Sequence, residues 1–208
     1  MPLDLDYPFT GRWLVQNSPA NRVPSHGTAQ FGLSHAIDFV PVDEAGRSAP
    51  YTLTSFLRPE PAAILPGFGR LLTAPVDGVV VGVHGDEPDR RSHRGLPSVG
   101  YAFTQRRRLD AGWLGLSGNH VLIETRGPEG RTAVVVLCHL QQGSSPVRTG
   151  QPVHRGEVVG RCGNSGNSTE PHVHVHAVDR RDISRAEAVP ITFRGALPRN
   201  GEVVDAGP

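Results

Sequence analysis

The chain has 208 residues, a formal net charge of +1 and 37% hydrophobic residues. This length suits one domain with a substantial core, and the near-zero charge gives no electrostatic reason to expect a nucleic acid as partner. All 21 basic residues are arginine, which excludes Schiff-base chemistry, a P-loop lysine and biotinyl or lipoyl attachment. No stretch approaches the roughly 20 apolar residues that a membrane span requires.

The N-terminus and the cysteines bear on cellular location. The stretch MPLDLDYPFTGRWLVQ carries early acidic residues and no apolar run, so the sequence predicts no secretory signal and, taken alone, a cytoplasmic protein. Two cysteines, Cys138 and Cys162, do not define a disulfide framework, and we expect them to be reduced and buried. Nothing in the sequence calls for a second copy of the chain, so we expect a monomer.

Short β-branched runs separated by glycine, proline and asparagine predict an all-β, mostly antiparallel fold. Long loop-like segments at 52–69 and 86–118 are expected to frame a groove. A proline- and glycine-bearing loop between two of the runs predicts a hairpin over 119–140. In chain order the predicted strands are 12–17, 35–42, two within 69–85, 119–125, 131–140, short pieces within 147–166, and 171–178.

The stretch EPHVHVHAVD (170–179) places three histidines at every second position. In a strand His172, His174 and His176 would share one face and the valines the other. A catalytic zinc takes three protein ligands and keeps one position open for water, so such a strand can give one imidazole to a metal. Asp38, in the apolar run HAIDFVPV, is the best candidate for an oxygen ligand, because an unpaired carboxylate there would be costly. A solvent-facing Asp38 is the alternative.

Several segments agree in order and spacing with one known family. They are HAIDF (35–39), GRLLTAPVDGVVVGV (69–83), GNHVLIE (118–124), VLCHL (136–140) and VRTGQPVHRGEVVGRCGNSGNSTEPHVHVH (147–176). Together they resemble the lysostaphin-type zinc metallopeptidases (M23, LytM-like), over roughly residues 26–42 and 69–178. The resemblance implies a LytM-like β fold and a zinc-dependent endopeptidase that cleaves peptidoglycan cross-links or stem peptides. Because that substrate lies outside the cell membrane, the location of the chain stays open.

Transferred position by position, the resemblance implies that Asp38 and His174 bind Zn²⁺. It also implies that His139 and His172 are catalytic histidines that do not bind the metal. Zinc lowers the pKa of its bound water to about 7, and a free imidazole can take a proton from that water or steady the oxyanion. Strand alternation predicts that Cys138 and His139 face opposite sides of their strand.

The first zinc ligand departs from the family pattern, because Ser34 occupies the usual position four residues before Asp38. We favour His26, in VPSHGT, which lies on a loop free to fold over the site. His35 is the alternative; in a straight strand it would face away from Asp38, although a bulge could bring it back. The remaining histidines are expected at the solvent-exposed surface: His84, His93, His120, His154 and His176. For His176, which shares a face with His174, a place at the rim of the site or a contact with a metal ligand is the alternative.

Two other functions fit parts of the pattern. A catalytically inactive LytM-like module would bind a peptide or a partner protein without cleaving it. A cupin would explain GNSTEPHVH (166–174), but the glutamate of the first cupin motif and the whole second motif are missing. We predict a single domain over 1–208, with its core at about 26–178, an N-terminal strand at 10–17 and a C-terminal extension at 179–208.

Overall fold

The computed structural model describes residues 1–50, 53–96 and 112–207, and within these the predicted all-β fold is confirmed. Part of the predicted loop 86–118, namely 97–111, lies outside the described residues. The strands are β1 (Leu3–Leu5), β2 (Gly11–Gln16), β3 (Ile37–Pro41), β4 (Glu60–Pro61), β5 (Leu71–Thr73), β6 (Gly78–His84), β7 (Arg91–Ser92), β8 (Asn119–Arg126), β9 (Thr132–Leu140), β10 (Pro152–Val153), β11 (Val158–Arg161), β12 (Val173–Val178), β13 (Ala188–Val189), β14 (Ile191–Phe193) and β15 (Val203–Ala206).

Helical structure is short in the described part of the chain. Two α-helices, α1 (Leu53–Leu57) and α2 (Gly112–Ser117), lie in the two segments predicted as long loops. Within the described residues, short 3₁₀ turns occur at Gln30–His35, Ala62–Ile64, Pro128–Gly130 and Ile183–Arg185. None of the helices in these described ranges has the length and apolar character that crossing a membrane requires.

One nine-stranded antiparallel sheet organises the fold. Its strand order is β10-β6-β8-β9-β12-β3-β2-β15, and β13 pairs with β12 at one end. The predicted hairpin is confirmed as β8 and β9, which pair along their whole length. Two-stranded pairs join β1 with β14, β5 with β11 and β4 with β7. Only the first of these pairs is parallel.

The two faces of this sheet bury different kinds of side chain, because side chains alternate along each strand. Val173, Val175 and Leu137 are fully buried on the face that packs into the main hydrophobic core. The other face carries a row of mostly polar side chains that pair directly from strand to strand across β6, β8, β9, β12, β3 and β2. In spatial order this row is His84, His120, Cys138, His174, Asp38 and Gln16.

Strands from the first and the last part of the sequence pair with other strands of the fold. β15, in the segment predicted as a C-terminal extension, pairs with β2 at the edge of the main sheet. β1 pairs with β14, and this places Phe193 against Phe39 and Tyr7, each with ring centroids 5.1 Å away. The aromatic contacts lie directly behind β3, the strand that carries Asp38. The predicted division into a core and two terminal segments remains a prediction.

Candidate metal centre and catalytic groove

A groove opens over the polar row of the main sheet. Five of the residues that line it are the sequence-predicted site residues His26, Asp38, His139, His172 and His174. The structure therefore brings the favoured ligands and both catalytic candidates to one place. The rest of the lining includes Trp113 and Leu116 of α2 and, from loops and strand ends, Gln16, Asn17, Asn167, Thr169 and Glu170.

Asp38 lies at the centre of the cluster, with its side chain 8% exposed. Its Oδ1 accepts a hydrogen bond from His174 Nδ1 at 2.9 Å, and its Oδ2 accepts from His26 Nε2 at 3.1 Å and from Asn17 Nδ2 at 2.7 Å. Burial by itself would raise the pKa of this carboxyl group. The charge of His26 and the hydrogen bonds from both histidines outweigh burial and hold the pKa of Asp38 well below its usual range. The carboxylate is therefore ionised and ready to bind a cation.

The donor set of His26, Asp38 and His174 fits a divalent zinc ion. One ligand atom from each residue lies within 4.8 Å of the other two. Two imidazole nitrogens and one carboxylate oxygen are the ligand types zinc prefers, and three protein ligands leave a fourth position open. The rings of His26 and His174 meet edge to face with centroids 4.7 Å apart. The arrangement has the chemistry of a catalytic rather than a closed structural site.

His26 reaches Asp38 because its loop is fastened to the 3₁₀ turn at Gln30–His35. The buried Ser25 hydroxyl donates to the Leu33 carbonyl at 3.2 Å and lies 3.1 Å from His26 Nδ1, which can donate to it. This contact turns Nδ1 toward Ser25, and Nε2 is the nitrogen that faces Asp38. His35 ends the 3₁₀ turn. Within the described residues, it belongs to neither group of side chains that could hold a metal.

His139 owes its position to a β-bulge at the end of β9. Asn119 of β8 pairs with Leu140, and His120 pairs with Cys138, so His139 is an extra residue between them. Its φ of 64° is left-handed, and such bulges turn a side chain away from the regular alternation. Cys138 and His139 consequently both line the groove. The prediction that they face opposite sides was wrong, because it assumed a regular strand.

The two catalytic candidates are oriented in the same way. His139 Nδ1 donates to the Ser165 carbonyl at 2.9 Å, and His172 Nδ1 donates to the Glu170 carbonyl at 2.8 Å. Their rings lie 4.6 Å apart, and His172 Nε2 is 3.7 Å from Asp38 Oδ1. Burial, followed by the neighbouring His172 and His174, lowers the pKa of His139 well below its usual value. His139 is therefore neutral, with Nε2 available as an acceptor.

Two histidines that were expected at the surface are buried. His120 is 9% exposed and His176 is fully buried, so the expectation of surface exposure was wrong for both, and for His176 the alternative of a place beside the site remains. The cause is Trp113 of α2, which covers this face of the sheet with its ring 5.7 Å from each of the two imidazoles. His154 is exposed as expected, with 83% of its side chain accessible, whereas His84 and His93 are partly buried.

Sequence reasoning missed the groups that orient Asp38 and the site histidines. Asn17, Ser25 and the carbonyls of Ser165 and Glu170 each contact one of the site side chains. Asn17 has a left-handed φ of 49° directly after β2, a conformation that asparagine tolerates better than most residues. An asparagine that ends a strand is a signal for such a turn, but it does not identify Asp38 as the partner.

The fold and the cluster together define an antiparallel β protein with a candidate His–Asp–His metal centre in a groove. Residues 101–185 match the model of Peptidase family M23. This match confirms the predicted resemblance to the M23 peptidases over that segment, which contains His139, His172 and His174. Among curated proteins, no sequence matches the chain.

Solved structures of similar proteins include two peptidases and one M23 protein. The catalytic domain of the antimicrobial peptidase lysostaphin from Staphylococcus simulans is 15% identical, with a TM-score of 0.41, over 86% of this chain and 88% of that one. The prophage-encoded M23 protein EnpA from Enterococcus faecalis is 20% identical, with a TM-score of 0.39, over 74% and 73%. A zinc-containing peptidase from Vibrio cholerae is 21% identical, with a TM-score of 0.37, over 76% and 39%.

Proposed function

We propose that the protein is a zinc-dependent metalloendopeptidase that hydrolyses peptide bonds of peptidoglycan cross-links or stem peptides. The observation that carries the proposal is the convergence of His26, Asp38 and His174 on one point of a groove that His139 and His172 also line. The substrate class is supported by the resemblance of the sequence motifs to the lysostaphin-type family. In this proposal residues 1–208 form one catalytic domain that acts as a monomer.

The metal would be held by His26 Nε2, by the Asp38 carboxylate and by His174 Nδ1, the atoms that already face one another. Zinc, when bound, supplies a Lewis acid for the peptide carbonyl and makes water a better nucleophile near neutral pH. The second nitrogen of each ligand histidine points away from this position, toward Ser25 for His26 and toward His176 for His174. The two imidazoles are thereby limited to one binding nitrogen each.

The proton transfers would fall to His139 and His172. Because the Nδ1 of each ring donates to a backbone carbonyl, Nε2 is the basic nitrogen that faces the groove. One of the two can take the proton of the attacking water and later deliver it to the leaving amine. The other can donate a hydrogen bond to the oxyanion of the tetrahedral intermediate once it is protonated. Neither ring is needed as a metal ligand for this work.

Alanine substitutions of the two competing first ligands test the proposal. Purified wild-type protein, His26→Ala and His35→Ala are dialysed against buffered zinc, and bound zinc is measured by mass spectrometry together with release of amino groups from purified peptidoglycan. We expect His26→Ala to lose zinc and activity, and His35→Ala to keep most of both. His154→Ala, at an exposed position, is the control.

Two results would contradict the proposal in different ways. Loss of zinc in His35→Ala but not in His26→Ala would overturn the ligand assignment. A wild-type protein that holds one zinc ion but hydrolyses neither peptidoglycan nor isolated stem peptides would favour the inactive binding module.

A further inference from the structure

Each ring nitrogen of His174 has a protein partner, and the partner of Nε2 is another histidine. His174 Nδ1 lies 2.9 Å from Asp38 Oδ1, whereas His174 Nε2 lies 3.1 Å from His176 Nδ1. His176 is fully buried, and its ring centroid is 5.1 Å from that of His174. Water therefore cannot replace this contact.

The three other site histidines have a different kind of partner. His26, His139 and His172 each direct their second nitrogen to a serine hydroxyl or a backbone carbonyl. A carbonyl only accepts a hydrogen bond, whereas an imidazole Nδ1 can accept or donate according to its tautomer. The contact between His174 and His176 can therefore persist when His174 Nδ1 carries a proton and also when that nitrogen binds a metal.

The neighbours of the His176 ring are mostly apolar. His176 pairs with Val136 of β9, and the ring of Trp113 packs edge to face against it at 5.7 Å. Its Nε2 has no hydrogen-bond partner of good geometry among the described residues. The Phe31 backbone lies close enough to interact with the ring, but a buried polar atom without a well-formed hydrogen bond costs about 1–3 kcal/mol. The one hydrogen bond of good geometry that His176 makes is directed at His174.

We propose that His176 is a positioning residue for the metal centre. Its Nδ1 fixes the ring orientation and the tautomer of His174, so that His174 Nδ1 remains aimed at Asp38 and at the metal position. Partners of this kind tune the affinity of a ligand histidine for its metal. The inference rests on the proposed zinc site of His26, Asp38 and His174, and it adds a residue that does not touch the ion.

A rival arrangement uses the same atoms as a second metal site. Cys138, His174 and His176 also place one ligand atom each within 4.8 Å of one another. In that arrangement His174 Nε2 would bind an ion instead of donating to His176. The 3.1 Å between His174 Nε2 and His176 Nδ1 is the separation of a direct hydrogen bond. We therefore favour the hydrogen bond, and the experiment separates the two.

Three substitutions of His176 separate positioning from space filling. His176→Asn keeps an acceptor near the place of Nδ1, His176→Gln moves the amide toward the place of Nε2, and His176→Phe keeps the ring without nitrogen. Zinc affinity of the full chain is measured by competition with a chromophoric chelator, and the melting temperature of the zinc-free protein is measured in parallel. We expect His176→Gln and His176→Phe to bind zinc about 10–100-fold more weakly, and His176→Asn to stay near wild type.

The order of the variants decides the outcome. A space-filling role predicts the reverse order. His176→Phe would then keep its zinc affinity, and His176→Asn, with its smaller side chain, would lose both zinc affinity and melting temperature. That order would overturn the proposal. If wild-type protein binds no zinc, the proposed metal site fails, whatever the variants do.

A spectroscopic measurement on the wild-type protein covers the case in which the variants do not fold. Nitrogen-15 spectra of the zinc-loaded protein are expected to show His174 with a proton on Nε2 and none on Nδ1. A His174 without any ring proton, together with a second bound cadmium ion that Cys138→Ser abolishes, would overturn the proposal in favour of the second metal site.

Discussion

Replacing His139 by asparagine removes one nitrogen from the groove and leaves its surroundings in place. Asparagine tolerates the left-handed φ of 64° that the bulge imposes, and its amide can still donate to the Ser165 carbonyl, as His139 Nδ1 does at 2.9 Å. The missing group is Nε2, the proposed proton carrier. Fold and zinc site should therefore survive the substitution.

The expected loss is that of a general acid–base group. Such groups contribute about 10²–10⁴-fold to rate, which corresponds to roughly 2.7–5.5 kcal/mol of transition-state free energy. The measurement is kcat/KM on a defined cross-linked muropeptide, with bound zinc determined on the same preparation. His154→Asn, at an exposed position, is the matched control. A loss of zinc in parallel with activity, or a rate within about tenfold of wild type, would refute the assigned role.

Two further predictions concern stability. Phe193→Ala should lower the free energy of unfolding by about 3–5 kcal/mol, because Phe193 is 1% exposed and packs on Phe39. Phe56→Ala, at a 45% exposed site, should lower it much less. Equal losses in denaturant titrations of the two variants would contradict this packing. Burial lowers the pKa of His120, so the unfolded chain binds more protons below about pH 6.5 and stability falls as the pH falls. Between pH 7 and pH 5, His120→Asn should reduce the slope of the free energy of unfolding against pH by at most about 1.4 kcal/mol per pH unit. His154→Asn should leave this slope unchanged. An unaltered slope in His120→Asn would contradict the assigned burial effect.

Strand alternation was enough to predict the part of the site that lies on regular strands. Asp38 and His174 pair directly across β3 and β12, and each lies in a run whose neighbouring residues are apolar. Their shared face follows from the twofold period of a strand. The β8–β9 hairpin followed in the same way from two β-branched runs and the loop between them.

The irregular parts of the site could not be derived from periodicity. Regular alternation would turn His139 to the same face as Leu137, and only the bulge opposite Asn119 brings it into the groove. His26 depends on hydrogen bonds between its loop and residues 33 and 34, which no local pattern encodes. His139 was identified through the family resemblance, and His26 was favoured because its loop is free to fold over the site. Strand geometry predicted neither.

Burial of the outer histidines was missed because the element that covers them is short. α2 has six residues, too few to show a helical period, yet its Trp113 shields His120 and His176. The strand β15 was missed for a similar reason. Its four residues, VVDA, follow a turn-rich stretch, and their pairing with β2 is a long-range contact that only the folded chain reveals.

Anomalous diffraction at the zinc edge, from crystals grown with one equivalent of zinc, tests the central claim most directly. The account predicts one strong peak bonded to His26, Asp38 and His174, with His139 and His172 close by but not bonded to it. A peak that excludes Asp38, or no peak within reach of these three side chains in zinc-saturated protein, would contradict it.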